Sequence, residues 1–89
     1  MLNIYKYRIP DWGGKIMLPL GARILDVQLQ NDIPTLWAAV DPALAPEEYW
    51  VDIIGTGSFV PENLIQYYVK TVQQDQLVWH IFVTKEENK

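Results

Sequence analysis

Apolar positions along this chain recur mostly with a period of two, the spacing of strands that bury one face. The pattern is clearest from Leu18 to Asp41, LPLGARILDVQLQNDIPTLWAAVD. There Arg23, Leu25, Val27 and Leu29 alternate with Ile24, Asp26, Gln28 and Gln30. Leu36 to Val40 is a continuous apolar run centred on Trp37, which suits a strand covered on both sides with Trp37 in the core. The polar, proline-bearing Gln30-Asn31-Asp32-Ile33-Pro34 between these segments predicts a hairpin with its turn at 31–34.

Similar logic assigns the rest. Leu2 to Ile9 predicts a first strand, with Tyr5, Tyr7 and Ile9 opposite Ile4, Lys6 and Arg8. Pro10 ends it and Asp11-Trp12-Gly13-Gly14 turns the chain. Lys15 to Leu18 is a short strand closed by Pro19 and by Gly21, the expected positive-φ residue. Two prolines make Asp41 to Pro46 a loop. Glu47 to Ile54 sets Tyr49, Val51 and Ile53 against Glu48, Trp50 and Asp52, and ends in the turn Gly55-Thr56-Gly57-Ser58. One helical turn is expected near 61–65, with Pro61 as its first residue. Tyr67 to Gln73 and Leu77 to Thr84 read as two further strands, the second with Leu77, Trp79, Ile81 and Val83 on one face. Short strands with short connections favour antiparallel pairing. The expected fold is all-β: a small antiparallel β-sandwich or partly open barrel of six to seven strands, one domain over 1–84 with a charged, frayed tail at 85–89.

Composition narrows the function classes. The 89 residues include 49% apolar positions, with four Trp and five Tyr, which excludes a disordered chain. Absence of cysteine excludes disulfides and thiolate metal sites, and fits a reducing cytoplasm. Neither a signal peptide nor an apolar run of membrane-spanning length is evident, and Met1 reads as the start of a whole small protein. The net charge of −4, with Lys and Arg scattered singly, argues against general nucleic-acid binding.

Candidate chemistry is sparse. Gly55-Thr56-Gly57-Ser58 could cradle a phosphate, but the Lys-Ser or Lys-Thr of a phosphate loop does not follow, so a strand-ending turn suffices. His80 is the one histidine; alone it makes no metal site, and it reads as a surface or cross-strand side chain. The scattered carboxylates suit solvated faces better than a catalytic pair in a deep cleft. Aromatics are the more informative feature. Trp12 lies in a glycine-bearing loop and Trp50 shares a face with Glu48 and Asp52, so both are candidates for exposed contact surfaces. Tyr67 and Tyr68 point to opposite faces, which would leave one outside.

Ile4-Tyr5-Lys6-Tyr7, Leu18-Pro19-Leu20-Gly21-Ala22, Leu36-Trp37-Ala38-Ala39-Val40-Asp41-Pro42, Gly55-Thr56-Gly57 and the closing Leu77-Val78-Trp79-His80-Ile81-Phe82 carry a resemblance. Over nearly its whole length the chain resembles a family of small uncharacterised proteins found in phages, prophages and bacterial genomes. Members commonly have a histidine after Gly-Thr-Gly, where Ser58 stands here. The resemblance implies a viral or mobile-element source, and it implies no catalytic residues.

Together these readings give a non-enzymatic, phage-type binding protein, cytoplasmic in a bacterial host, that counters host defence by sequestering a nucleotide signal. The site is expected between subunits, where a base would stack on Trp12 or Trp50 and phosphates would meet Arg8, Lys15, Arg23 or the turn at Thr56, Gly57 and Ser58. A homo-oligomer is expected, since small β domains leave sheet edges to cover. The alternatives are a protein-binding inhibitor of a host or defence enzyme, and a virion or assembly component. Neither a cofactor nor a metal is expected.

Overall fold

The computed structural model describes residues 1–85, which form two antiparallel sheets. β1 (Asn3–Arg8), β4 (Ile33–Val40) and β3 (Arg23–Gln30) make a three-stranded sheet in the order β1-β4-β3. β2 (Gly14–Pro19), β5 (Pro46–Gly55), β7 (Leu77–Thr84) and β6 (Tyr68–Gln74) make a four-stranded sheet in the order β2-β5-β7-β6. A tight turn at Pro10–Trp12, left-handed at Asp11 and Trp12 (φ 48° and 54°), leads into β2. A 3-10 helix at Glu62–Tyr67 links β5 to β6; Pro61 precedes it in extended conformation instead of opening it. The all-β expectation holds, as an open sandwich of two sheets and not a closed barrel. Past Lys85, the tail read from the sequence lies outside the described residues.

The core is the single apolar layer between the sheets. β4 contributes Leu36, Ala38 and Val40, all fully buried, against Val27 of β3, Leu18 of β2, Val51 of β5 and Ile81 of β7. Each buried leucine, valine or isoleucine stabilises the fold by about 1.5–3 kcal/mol. Trp37 does not belong to this layer. It is half-buried on the opposite face of β4, in register between Lys6 and Asp26, so β4 is fully covered on one side only. Tyr49 reaches the core with its ring and donates its hydroxyl to Glu47 at 3.0 Å. Burial and that neighbouring carboxylate push its pKa up to about 12.

Two local devices correct the simple alternation. The β3–β4 hairpin pairs Gln30 with Ile33, so its loop is Asn31-Asp32 alone, with φ of 53° and 62°. A two-residue loop with both φ positive matches the twist of the strands it joins. Ile33 and Pro34 therefore belong to β4, not to the turn. Pro34 is buried where β1 ends, and its carbonyl accepts the Ile9 N–H at 2.9 Å, a strand-end position that tolerates the missing donor. The second device is a bulge. Ile24 pairs with Ala38 and Asp26 with Trp37, which leaves Leu25 as the extra residue. Ile24 thus turns inward against the core, and Leu25 points out at 52% exposure.

One side of the sandwich is drawn together by side chains. β3 and β6 run beside each other, and Lys70 donates to Asp26 at 2.9 Å. Asp26 also accepts from the Gln28 side chain at 2.7 Å and the Val27 N–H at 2.9 Å. These bonds, led by that of Lys70, hold the Asp26 carboxyl below the usual range. On the other side β1 and β2 each have one strand neighbour.

Two tests follow from the bulge and the seam. Leu36→Ala is expected to cost about 2–5 kcal/mol in urea unfolding, whereas Leu25→Ser stays within about 0.5 kcal/mol of wild type because the bulge exposes it. An equal loss in both would mean that no bulge exists. A carboxyl whose folded-state pKa is depressed adds stability above its unfolded pKa and loses it as pH falls through the folded value. Asp26→Asn is therefore expected to be less stable than wild type at neutral pH, with the gap closing below the ordinary aspartate range in pH-dependent melts.

Candidate functional site

Strand register brings one group of side chains onto the outer face of the four-stranded sheet. Ile54 of β5 and Thr71 of β6 both sit opposite His80 of β7, and Tyr68 sits opposite Phe82. The segment from Thr56 to Tyr67 folds back over this face. It begins with a tight turn in which Ser58 N–H donates to the Gly55 carbonyl at 3.1 Å, and Gly57 has φ 93°, a conformation other residues rarely adopt. It continues into the 3-10 helix, which rests on β7 and buries Leu64. Between the segment and the sheet is an open cavity of about 470 Å³, walled by Ile54, Val60, Ile65 and Phe82. No Lys or Arg among the described residues lines it.

A continuous chain of hydrogen bonds runs along this cavity. Thr56 Oγ1 lies 2.7 Å from His80 Nε2, Thr71 Oγ1 lies 3.0 Å from His80 Nδ1, and the Tyr68 hydroxyl lies 2.6 Å from Thr71 Oγ1. The imidazole is therefore held at both nitrogens by cross-strand and turn hydroxyls. Tyr68 also packs edge-on against Phe82, with ring centroids 5.9 Å apart. A threonine hydroxyl on an imidazole nitrogen has the form of a nucleophile and its base. The group behind the ring is another neutral hydroxyl, where a carboxylate would stabilise an imidazolium. Asp52 is on the same face, opposite Phe82, and burial pushes its carboxyl above the usual range.

The candidates read from the sequence go to four places. Thr56, Gly57 and Ser58 line the cavity just described. Arg8 and Trp12 meet in a separate cleft of about 530 Å³ beside Pro34, where Trp12, 39% exposed, packs on Trp79 at 5.1 Å. Lys15 and Trp50 are cross-strand partners, Trp50 half-buried, and the Lys15 ammonium is engaged by Glu48 at 3.3 Å. Arg23 stands exposed at the start of β3. Within one chain these residues do not form a joint base-and-phosphate site. Thr71, Ile54, Ile65 and Phe82 were not singled out from the sequence; Tyr68 was, as one of two tyrosines of which one was expected outside, and both it and Tyr67 are exposed. A two-residue Asp75-Gln76 loop, pairing Gln74 with Leu77, would have placed Thr71 opposite His80. Tyr68 needed the bulge at Val69 as well.

The family model described as a domain of unknown function, DUF7352, matches residues 1–89. The chain belongs to this family. No curated protein and no solved structure matches it. For this DUF7352 domain the site must accordingly be read from its own geometry. Among the described residues no cluster of His, Asp or Glu could hold a metal ion, and no helix is long and apolar enough to cross a membrane.

The elevated Asp52 carboxyl has a measurable consequence. A group whose folded-state pKa is raised contributes favourably only at low pH, and its charged form destabilises the fold once pH exceeds that pKa. Asp52→Asn is expected to raise the melting temperature at neutral pH, with the difference fading as pH falls below the ordinary aspartate range. A lower melting temperature at neutral pH would show that the charge is stabilising.

Proposed function

We propose that this domain binds a small, uncharged molecule by an apolar or aromatic part in the cavity over the four-stranded sheet and performs no chemistry on it. The cavity carries the reading: its volume of about 470 Å³ falls within the roughly 300–1,000 Å³ of ligand pockets. Apolar walls with a few convergent polar groups are the usual build of such a site. A binding role is favoured over catalysis by the neutral Thr71 hydroxyl behind His80, which would support an imidazolium poorly. A nucleotide would enter through its base, since its phosphates find no cation on these walls. As a phage or prophage product, the source its sequence likeness implies, the domain would act by sequestering such a molecule from a host defence enzyme.

A second reading, pairing of two copies, draws support from β1. This strand has β4 alone beside it, and Leu2 and Ile4 are 58% and 67% exposed. Antiparallel addition of a second β1 would satisfy the same backbone groups on both copies. Sedimentation of wild type and Ile4→Lys tests it: a dimer lost in the variant supports the pairing, and a wild-type monomer at high concentration overturns it.

The cavity reading is tested with adenosine and adenosine monophosphate as probes. Adenosine is expected to shift the NMR signals of Phe82 and His80 saturably and to bind at least as well as the monophosphate. Ile54→Trp, which fills the cavity, is expected to abolish those shifts. Tighter binding of the monophosphate by about tenfold, or about 1.4 kcal/mol, would overturn the uncharged-ligand assignment.

A further inference from the structure

The polar chain at the cavity can be counted hydrogen by hydrogen. Thr56, Thr71 and Tyr68 each carry one hydroxyl hydrogen, and a neutral imidazole carries one ring hydrogen. Three contacts join these groups: Thr56 to Nε2 at 2.7 Å, Nδ1 to Thr71 at 3.0 Å, and Thr71 to Tyr68 at 2.6 Å. Each bond uses one hydrogen, so a single hydrogen remains for anything outside the chain.

Where that hydrogen lies depends on the tautomer. With the ring hydrogen on Nδ1, the imidazole donates to Thr71, Thr71 to Tyr68 and Thr56 to Nε2. The Tyr68 hydroxyl is then free to donate outward, and Thr56 can only accept. With the ring hydrogen on Nε2, every bond reverses: Tyr68 donates to Thr71, Thr71 to Nδ1 and the imidazole to Thr56. Thr56 now donates outward and Tyr68 accepts. In a third order the imidazole and Tyr68 both donate to Thr71, and the spare hydrogen sits on Thr71, which does not line the cavity. Thr56 and Tyr68, the two ends, do line it. In no order do both ends donate at once.

We propose that the chain Thr56–His80–Thr71–Tyr68 selects, for the cavity, a neutral ligand with a hydrogen-bond acceptor at one end and a donor at the other, and selects against one with acceptors at both. The proposal rests on the cavity reading above and specifies its ligand class. Once a ligand displaces water from the cavity, an acceptor that meets no donor loses its hydration without replacement, which weakens binding by about tenfold or more. Reversal of the chain lets either orientation of an acceptor–donor ligand be satisfied, because the imidazole exchanges tautomers without a change of charge.

Three para-substituted benzenes of similar shape test this. 4-Aminoacetophenone offers a donor and an acceptor, 1,4-diacetylbenzene two acceptors, and p-xylene neither. Wild type is expected to bind 4-aminoacetophenone about tenfold more tightly than 1,4-diacetylbenzene. Thr71→Val cuts the chain in its middle without altering the cavity wall. Both ends can then donate independently, and the preference is expected to fall to near unity. Thr71→Ser keeps the hydroxyl and is expected to keep the preference, which separates loss of the chain from loss of the fold. Equal binding of the two ketones by wild type, with p-xylene also bound, would overturn the selection while leaving the cavity reading intact. If none of the three shifts the signals of Phe82 or His80, the cavity reading fails and the selection with it.

Discussion

One apolar layer between two sheets is the constraint from which the other features follow. A chain of this length buries a limited share of its surface, and here Leu18, Val27, Leu36, Val51 and Ile81 concentrate that burial in a single layer. Every strand must give alternate residues to it, so each strand has a second face that the core does not use. On β4 that face holds Trp37 between Lys6 and Asp26. On the four-stranded sheet it holds Ile54, His80, Phe82 and Tyr68, and the return segment after Gly57 covers it partly. The cavity is thus what remains between a sheet face that did not enter the core and a loop that crosses it without filling the space.

The polar chain on that face fits the same account. The middle of the chain, where Thr71 meets His80, is partly buried, and polar groups there need partners. His80 meets this need at both nitrogens through Thr56 and Thr71, and Tyr68 completes the series. The arrangement is held by strand pairing on one side and by the Gly55–Ser58 turn on the other. Rigid elements therefore set the positions of all four groups, which is a suitable basis for selective recognition. The seam at Asp26 and Lys70 plays a different part: it joins the two sheets where no backbone ladder does.

Much of the fold was legible in the residues. The alternation in β1, β5 and β7, the turn at Gly55–Ser58, the positive φ of Gly21 and the short helical segment after Pro61 were all visible as local signals. Such signals are local because the period of a strand and the steric freedom of glycine act over a few residues. Less legible were the places where a single residue shifts the phase. Leu25 had the position of a core residue by alternation, and the bulge put it outside. Trp37 had the composition of a core residue, but its parity along β4 set it on the outer face. Pro34 looked like a turn residue because Asn31 and Asp32 beside it are the turn.

For the site, the sequence by itself marked Thr56, Gly57 and Ser58, drew attention to His80 as the one histidine, and kept Arg8, Trp12, Lys15, Arg23 and Trp50 as candidates. Residue type and neighbouring glycines determined that much. Only the tertiary structure decided which of them meet. Register between β6 and β7 set Thr71 against His80, and a second bulge swung Tyr68 to the same face. The order β2-β5-β7-β6 then kept these groups apart from Arg8 and Arg23 in the other sheet. The reason is physical: which side chains share a face depends on strand pairing across long stretches of chain, and pairing is fixed by how all the strands together close one apolar layer.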